Sequence, residues 1–472
     1  MSSTRKVAYN TVIQVVARAV TTVISLVALG YLTRYLGVAG YGQYDLVFAY
    51  LSLFGILVDF GFFLLQVRET TTHPDKEAYI LGNILGLKLA LSGLVFVVGC
   101  IGAFIIYDHP AITIGILVGS LSQAALAWAQ VPIGLFQARL QMGKAAIMNI
   151  LSRAAYLVGV LIGMNAGWGV VELVASVSVI NLAAFFVQLA MARPLVRIVP
   201  QWDFGYWKKF IHEAMPLGVA LVLATIYFSI DRVMLSVMKT TYEVGIYGTP
   251  YRVIGVVLTL PTIFMSSVFP IMTQALRQDR SRALRVFQKA FDFSGLAALP
   301  IAVGTTMVAT PLMVLIAGHE FAASGAVLQW LIWASALSFF GAVFNYTTIA
   351  AGRQRSLTLP YLVATLFNIG ANWIFIPYYS YMGAAVVTVA TEVLVVVWTG
   401  WITFRATGLK PNWLVTAKAV LAGLAVVGAL WWLGSSNLLI NIGLGAAVYL
   451  AVILLLKTVP KDMIKEIITL RS

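Results

Sequence analysis

Runs of about twenty apolar residues recur along the whole chain, and they constrain its fold more than any other feature. A helix of that length spans the hydrocarbon layer of a bilayer, about 30 Å thick. Fourteen such runs are counted, at roughly 8–33, 42–66, 80–106, 111–135, 145–164, 168–191, 214–238, 247–272, 291–316, 325–349, 359–379, 381–404, 413–433 and 437–457. The expected fold class is an all-α polytopic membrane protein of about fourteen transmembrane helices. Of the 472 residues, 61% are hydrophobic and 10% charged, too few charges to cover a soluble surface of this size.

The distribution of charge supports the count. Of 31 Lys and Arg, 24 fall in the connectors of one side. Only Arg34 and Lys239 fall on the other, and Arg18, Lys88, Arg153, Arg232 and Arg252 lie inside runs. The positive-inside rule makes the rich side cytoplasmic. An even number of crossings then leaves both termini in the cytoplasm, with the chain in the cytoplasmic (inner) membrane. The net charge of +14 is expected to meet anionic membrane lipids rather than nucleic acid. The single cysteine, Cys100, leaves no internal disulfide and no cysteine metal set. The opening MSSTRKVAYN leads into a run too long for a signal peptide and is read as a retained first span.

The connectors on the outer side are short and offer no external domain. Three stretches on the basic side, 201–215, 277–290 and 457–470, mix aromatic or aliphatic residues with Lys and Arg, as helices in the head-group plane do. The first of them divides the chain. The expected domains are an N-lobe of six spans (1–200), an interfacial linker helix (201–213), a C-lobe of six spans (214–408), and two extra spans with an amphipathic tail (409–472).

Ionisable groups inside the runs are the candidate functional residues. An Asp, Lys or Arg at mid-membrane costs about 2.5–3.5 kcal/mol on insertion scales, so it needs a compensating partner or role. Asp231 and Arg232 sit together in span 7, where they serve either helix pairing or gating. Arg18, Lys88 and Arg153 lie in the first half, with Asp59 and Glu172 as the nearby acids, and Arg252 lies in span 8. Such a cation excess favours an anionic cargo, because Arg grips phosphate oxygens through paired hydrogen bonds. Glu392 is a coupling-ion candidate for H+ or Na+, or else a static partner for Arg252 or an N-half arginine.

Polar stripes at helical spacing run along several spans: Asn10, Gln14, Arg18, Thr21 and Ser25; Thr225, Ser229, Arg232 and Ser236; Tyr361, Thr365, Asn368 and Asn372. Gln14, Asn368 and Asn372 are candidate polar groups of a cavity, and helix–helix hydrogen bonding is the alternative. The chain has no G-x-x-x-x-G-K-[ST], no Asp-x-Asp and no His-Glu-x-x-His. No ATP hydrolysis, metal or cofactor is therefore expected. The four histidines, His73, His109, His212 and His319, fall in connectors or at an interface.

A weak repeat aligns Leu32–Tyr44 with Leu235–Tyr247 at the same topological place in each half, as duplicated transporter halves require. The run RYLGVAGYGQY (34–44) with LVDFG (57–61), and DRVMLS (231–236) with VGIY (244–247), resemble the polysaccharide flippases. These form a branch of the multidrug/oligosaccharidyl-lipid/polysaccharide exporter superfamily. The resemblance implies two six-span lobes in a V, alternating access, and movement of an undecaprenyl-pyrophosphate-linked oligosaccharide for cell-surface polysaccharide, including lipopolysaccharide, biosynthesis. It implies glycan-assembly proteins as partners, and two C-terminal spans of the kind that help hold the lipid tail in the lipid II flippase branch. The rival readings are a cation-coupled multidrug exporter of the same fold and a membrane-embedded sugar polymerase or ligase. The exporter would want an acidic cavity. The polymerase would want large outer loops.

Overall fold

The structure is a computed structural model that describes residues 3–435 and 437–458. Among the described residues the regular elements are helices: α1 (Ser3–Asp59), α2 (Phe62–Thr72), α3 (Glu77–Ile106), α4 (Pro110–Ala138), α5 (Met142–Ala166), α6 (Val170–Ala192), α7 (Phe204–Met238), α8 (Thr241–Val257), α9 (Thr259–Gln278), α10 (Arg280–Ala317), α11 (Ser324–Ala350), α12 (Thr358–Thr407), α13 (Leu414–Leu433) and α14 (Leu438–Leu455). Backbone groups in lipid must be satisfied within their own segment, and the helix does that. The expectation that 457–470 lies in the head-group plane falls, from residue 459 onward, outside the described residues.

Among the described residues, twelve helical stretches are long and apolar enough to cross a membrane. The fourteen runs read from the sequence differ from this number at two places. The stretches Val16–Thr72 and Gln354–Thr407 each span two of the runs, and in each a long helix, α1 or α12, has one non-helical residue inside it. Within α1 the break is Gly37, at φ 65° and ψ −179°; within α12 it is Ser380, at φ 50°, three residues after Pro377. Gly37 takes a left-handed backbone that a Cβ would strain. Phe60 and Gly61, also at positive φ, separate α1 from α2.

The chain forms two compact units: Met1–Gly248 with Ile316–Gly318, and Thr249–Leu315 with His319–Ser472. The first therefore includes α7 and the head of α8. Its core gathers Phe62, Leu81, Ile84, Val131, Phe136 and Phe210. In the second unit, Met272, Phe287, Phe291, Val343 and Phe344 form one cluster, and α13 and α14 pack on α10 through Leu299, Ala422, Val426 and Tyr449. Between helices in lipid the attraction is close packing rather than exclusion of water. Large apolar side chains accordingly stay on the outside: Ile105, Leu366, Trp431 and Leu455 are more than half exposed, a surface suited to acyl chains.

The connector between α6 and α7 is tied to α3. Gln201 N–H donates to the Gly82 carbonyl at 3.0 Å, Asp203 N–H to Asn83 Oδ1 at 2.9 Å, and Trp207 Nε1 to the Asn83 carbonyl at 2.9 Å. Asp203 also accepts from the Tyr206 N–H, capping α7, and from the Tyr79 hydroxyl. The Tyr79 bond and the cap hold the Asp203 carboxyl below its usual range. Trp202, Phe204, Lys208 and Lys209 remain exposed on this linker.

Candidate functional site: charged and polar groups inside the helices

In the first unit, the polar stripe of α7 is engaged by other helices. Ser52 on α1 donates to Ser229 at 3.1 Å, Arg232 Nη1 donates to Asp45 Oδ2 on α1 at 3.3 Å, and Ser236 hydrogen-bonds the Tyr107 hydroxyl at 2.9 Å. Asp231 accepts from the Tyr247 hydroxyl of α8 at 2.8 Å. Asp231 and Arg232, neighbours in sequence, thus reach to different helices. Asp45 is fully enclosed. The sequence reading of nearby acids named only Asp59 and Glu172 and omitted it. The available signal was a carboxylate one residue past the first flippase-like motif, at the head of an apolar run.

Around this pair the backbones come very close. A Cβ on Gly42 would lie 1.8 Å from the Thr241 carbonyl oxygen, and one on Gly245 would lie 2.2 Å from that of Val38. Both glycines belong to the motifs quoted above. Arg34 adds two bonds, to the Gly30 carbonyl at 2.9 Å and the Ile316 carbonyl at 2.8 Å.

The sequence-derived cations differ in exposure. Lys88 is fully enclosed and donates to Asp59 Oδ1 at 2.7 Å and Gln130 Oε1 at 3.1 Å. Its charge is neutralised within the first unit, joining the end of α1 to α3 and α4. Arg18 is exposed on α1, and among the described residues it forms no ion pair; Gln14, one turn earlier, is exposed too. Arg153 is exposed on α5, three residues before Tyr156, whose hydroxyl meets that of Tyr44 at 3.1 Å.

In the second unit, Arg252 is exposed on α8. Glu392 is buried and accepts from Ser338 Oγ at 2.6 Å. Asn368 and Asn372 are fully enclosed, with Asn372 Nδ2 donating to Asn368 Oδ1 at 3.1 Å and Asn368 Nδ2 to Thr391 Oγ1 at 3.4 Å. They form a ladder between the two halves of α12, on either side of Ser380. The i, i+4 spacing was legible; Thr391, 23 residues on, was not. Among the described residues no three His, Cys, Asp or Glu side chains gather as a metal site would.

On the basic side of the first unit, Arg139 grips Glu77 with two donors, Nε at 3.0 Å and Nη2 at 2.6 Å. This raises the Arg139 pKa. Tyr206 donates to Glu69, and its pKa is raised by burial first and by that bond second.

The sequence model of a family described as polysaccharide biosynthesis protein matches residues 4–276, more than half of the chain. The chain belongs to the polysaccharide biosynthesis protein family. A probable low-salt glycan biosynthesis flippase of Haloferax volcanii is 20% identical to this family member over 463 residues, 95% of each chain. In fold, the family member is similar to the lipid II flippase MurJ in its inward closed conformation. The TM-score is 0.81 at 14% identity, over 96% of this chain and 100% of that one. It is also similar to an inward-facing multidrug resistance MATE family transporter of the MOP superfamily, with a TM-score of 0.63 at 13% identity, over 83% and 95% of the two chains. The resemblance to polysaccharide flippases is thereby upheld, as is the all-helical multi-pass membrane fold. Relatives and fold neighbours are transporters rather than enzymes, and this family member is one of them.

Proposed function

We propose that the protein is a flippase that carries a lipid-linked oligosaccharide, of the undecaprenyl-pyrophosphate type, across the cytoplasmic membrane by alternating access, in the assembly of a cell-surface polysaccharide. The family and the glycan flippase of Haloferax volcanii support the substrate class. The observation that carries the reading of the site is Arg18. It is an exposed guanidinium on an apolar helix, and no carboxylate among the described residues neutralises it. Such a group costs about 2.5–3.5 kcal/mol where water is excluded, and an anionic cargo removes that cost.

The diphosphate of the cargo gains in return. A bare phosphate cannot leave water without paired charge, and Arg offers donors spaced for two oxygens at once. In this reading Arg18 and Arg153 of the first unit meet the diphosphate, and Gln14 meets its neighbouring sugar; Arg252, in the second unit, is a separate cationic candidate. Lys88 braces the helices through Asp59, as Asp231, Arg232, Asn368 and Asn372 do through their own partners. Glu392, bonded to Ser338, is the residue whose protonation would couple transport to H+. The basic connectors face the cytoplasm, both ends of the chain lie there, and the fourteen runs are fourteen crossings. No covalent step is required of any residue.

The test is surface-glycan display in cells that depend on this gene, together with flipping of a labelled lipid-linked oligosaccharide in vesicles. The Arg18→Ala/Arg153→Ala variant should lose flipping at normal membrane levels. Full activity of that double variant would sink the cationic site. A fall in drug accumulation caused by the wild type, without any effect on glycan, would favour the multidrug exporter reading.

A further inference from the structure

The second unit contains a pocket of about 540 Å3 on its basic side, where the end of α9, the start of α10 and the ends of α11 and α12 meet. That volume lies inside the range of about 300–1,000 Å3 usual for small-ligand sites. Two arginines line it, Arg277 and Arg280, beside the apolar walls Phe269, Leu276, Ile349 and Leu409. No carboxylate is among its lining residues. The nearest acid in sequence, Asp279, is already engaged: it accepts from the Ser281 N–H and hydroxyl, both at 2.8 Å, and lies 4.0 Å from Arg285. These bonds hold its carboxyl below the usual range.

The two arginines are held differently. Arg280 reaches the Gly408 carbonyl with Nη2 at 3.4 Å, its one side-chain bond among the described residues. Gly408, at φ 68°, makes room for this: a Cβ there would lie 2.5 Å from that nitrogen. One edge of the guanidinium is therefore placed and its other donors stay available. Arg277 is exposed and makes no side-chain hydrogen bond or ion pair among the described residues. A second recess adjoins the first through Gly352 and carries Arg353 and Arg355. The ends of α9, α11 and α12 present carbonyl oxygens here, which favours cations nearby. Arg280 uses one of these carbonyls, and Arg277, in the last turn of α9, is favoured by its own helix end, while the donors of Arg277, Arg353 and Arg355 make no side-chain hydrogen bond among the described residues.

We propose that this pocket binds the phosphate group of an anionic ligand, with Arg277 and Arg280 on its oxygens and Phe269, Leu276 and Leu409 against apolar atoms beside them. Guanidinium donors match phosphate oxygens in pairs, and the mixed walls suit a phosphate that carries a hydrocarbon chain. Two sources share that chemistry: the head group of an anionic lipid, and a soluble phosphate or pyrophosphate. The site lies wholly within the second unit and does not depend on the cargo reading.

The test uses the full chain. Retention of phosphatidylglycerol over phosphatidylcholine is counted by native mass spectrometry after extraction from nanodiscs, and inorganic pyrophosphate is titrated in neutral detergent by thermal shift. The wild type should bind at least one of the two. Arg277→Gln/Arg280→Gln should weaken that binding at least tenfold, whereas Arg282→Gln/Arg285→Gln, with the same change in charge on the neighbouring turn, should leave it within twofold. Binding of the lipid alone assigns a head-group site; binding of pyrophosphate as well assigns a soluble ligand. If neither binds, or if both double variants lose binding equally, the proposal is overturned. Should the first double variant fail to fold, Arg277→Gln alone decides, since it removes no bond of the fold. Its glycan flipping, measured in parallel, keeps failure here distinct from failure of the cationic cargo site.

Discussion

Lys88 and Asp59 offer the sharpest separation of a structural charge from one that meets cargo. Lys88 has no solvent exposure, while the Asp59 side chain keeps 18%. Removing one member of a buried pair costs about 3–5 kcal/mol. At about 1.4 kcal/mol per tenfold, that is a rise in the unfolded fraction from roughly a hundredfold to several thousandfold. The two single variants should differ. Asp59→Asn strands a wholly enclosed ammonium, whereas Lys88→Met strands a carboxylate that water can still reach, so Asp59→Asn is the more damaging. The double variant removes both charges and should recover most of the loss, leaving it more stable than either single variant. Thermal unfolding in detergent and membrane abundance measure the stability, and surface-glycan display measures transport. A double variant no more stable than the worse single one would refute the pairing. A stable double variant that no longer displays glycan would refute the assignment of Lys88 to bracing alone.

Gly42→Ala and Gly245→Ala should each lower the unfolding midpoint and transport, since their Cβ atoms would fall 1.8 Å and 2.2 Å from carbonyl oxygens. Gly255→Ala, with nothing within 4 Å, should be neutral or gain up to about 1 kcal/mol of helix propensity, and equal loss in all three would contradict the close approach. Ser338→Ala should cost about 0.5–1.5 kcal/mol, the net worth of one hydrogen bond, read as the drop in thermal stability; an unchanged midpoint would count against the Glu392 bond. The depressed carboxyl of Asp203 stabilises the fold above its unfolded pKa of about 3.9 and loses that contribution as pH falls through the lower folded value. The stability gap between wild type and Asp203→Asn should therefore be full at pH 7 and close at strongly acid pH; a gap independent of pH would exclude the linkage.

The helices were legible because lipid leaves the backbone few solutions, and runs of about twenty apolar residues suit the helical one: length and apolarity alone located nearly every one. The places where the count changed, Gly37 and Ser380, are local backbone turns in the short connectors between two apolar runs, across which the helix otherwise continues. The glycine marks its own position by the left-handed angle it permits, while Ser380 gives no comparable signal. Partners were less legible. The spacing of Asn368 and Asn372 shows a shared face but not that Thr391 lies against it. Arg232 looked paired with its neighbour Asp231, yet adjacent residues on a helix point about 100° apart, and each found a partner on another helix. Contacts between distant parts of the chain are set by packing, which periodicity does not encode.

The bond between Asp45 and Arg232 also sets a constraint in time. The two residues are 187 positions apart, and a ribosome adds about 5–20 residues per second. For roughly 10–40 s of synthesis, then, Asp45 exists before Arg232 has been translated. During that interval this contact of the second apolar run cannot form. Final docking of that segment awaits the emergence of the seventh, so the early part of this molecule matures only after its midpoint has been made.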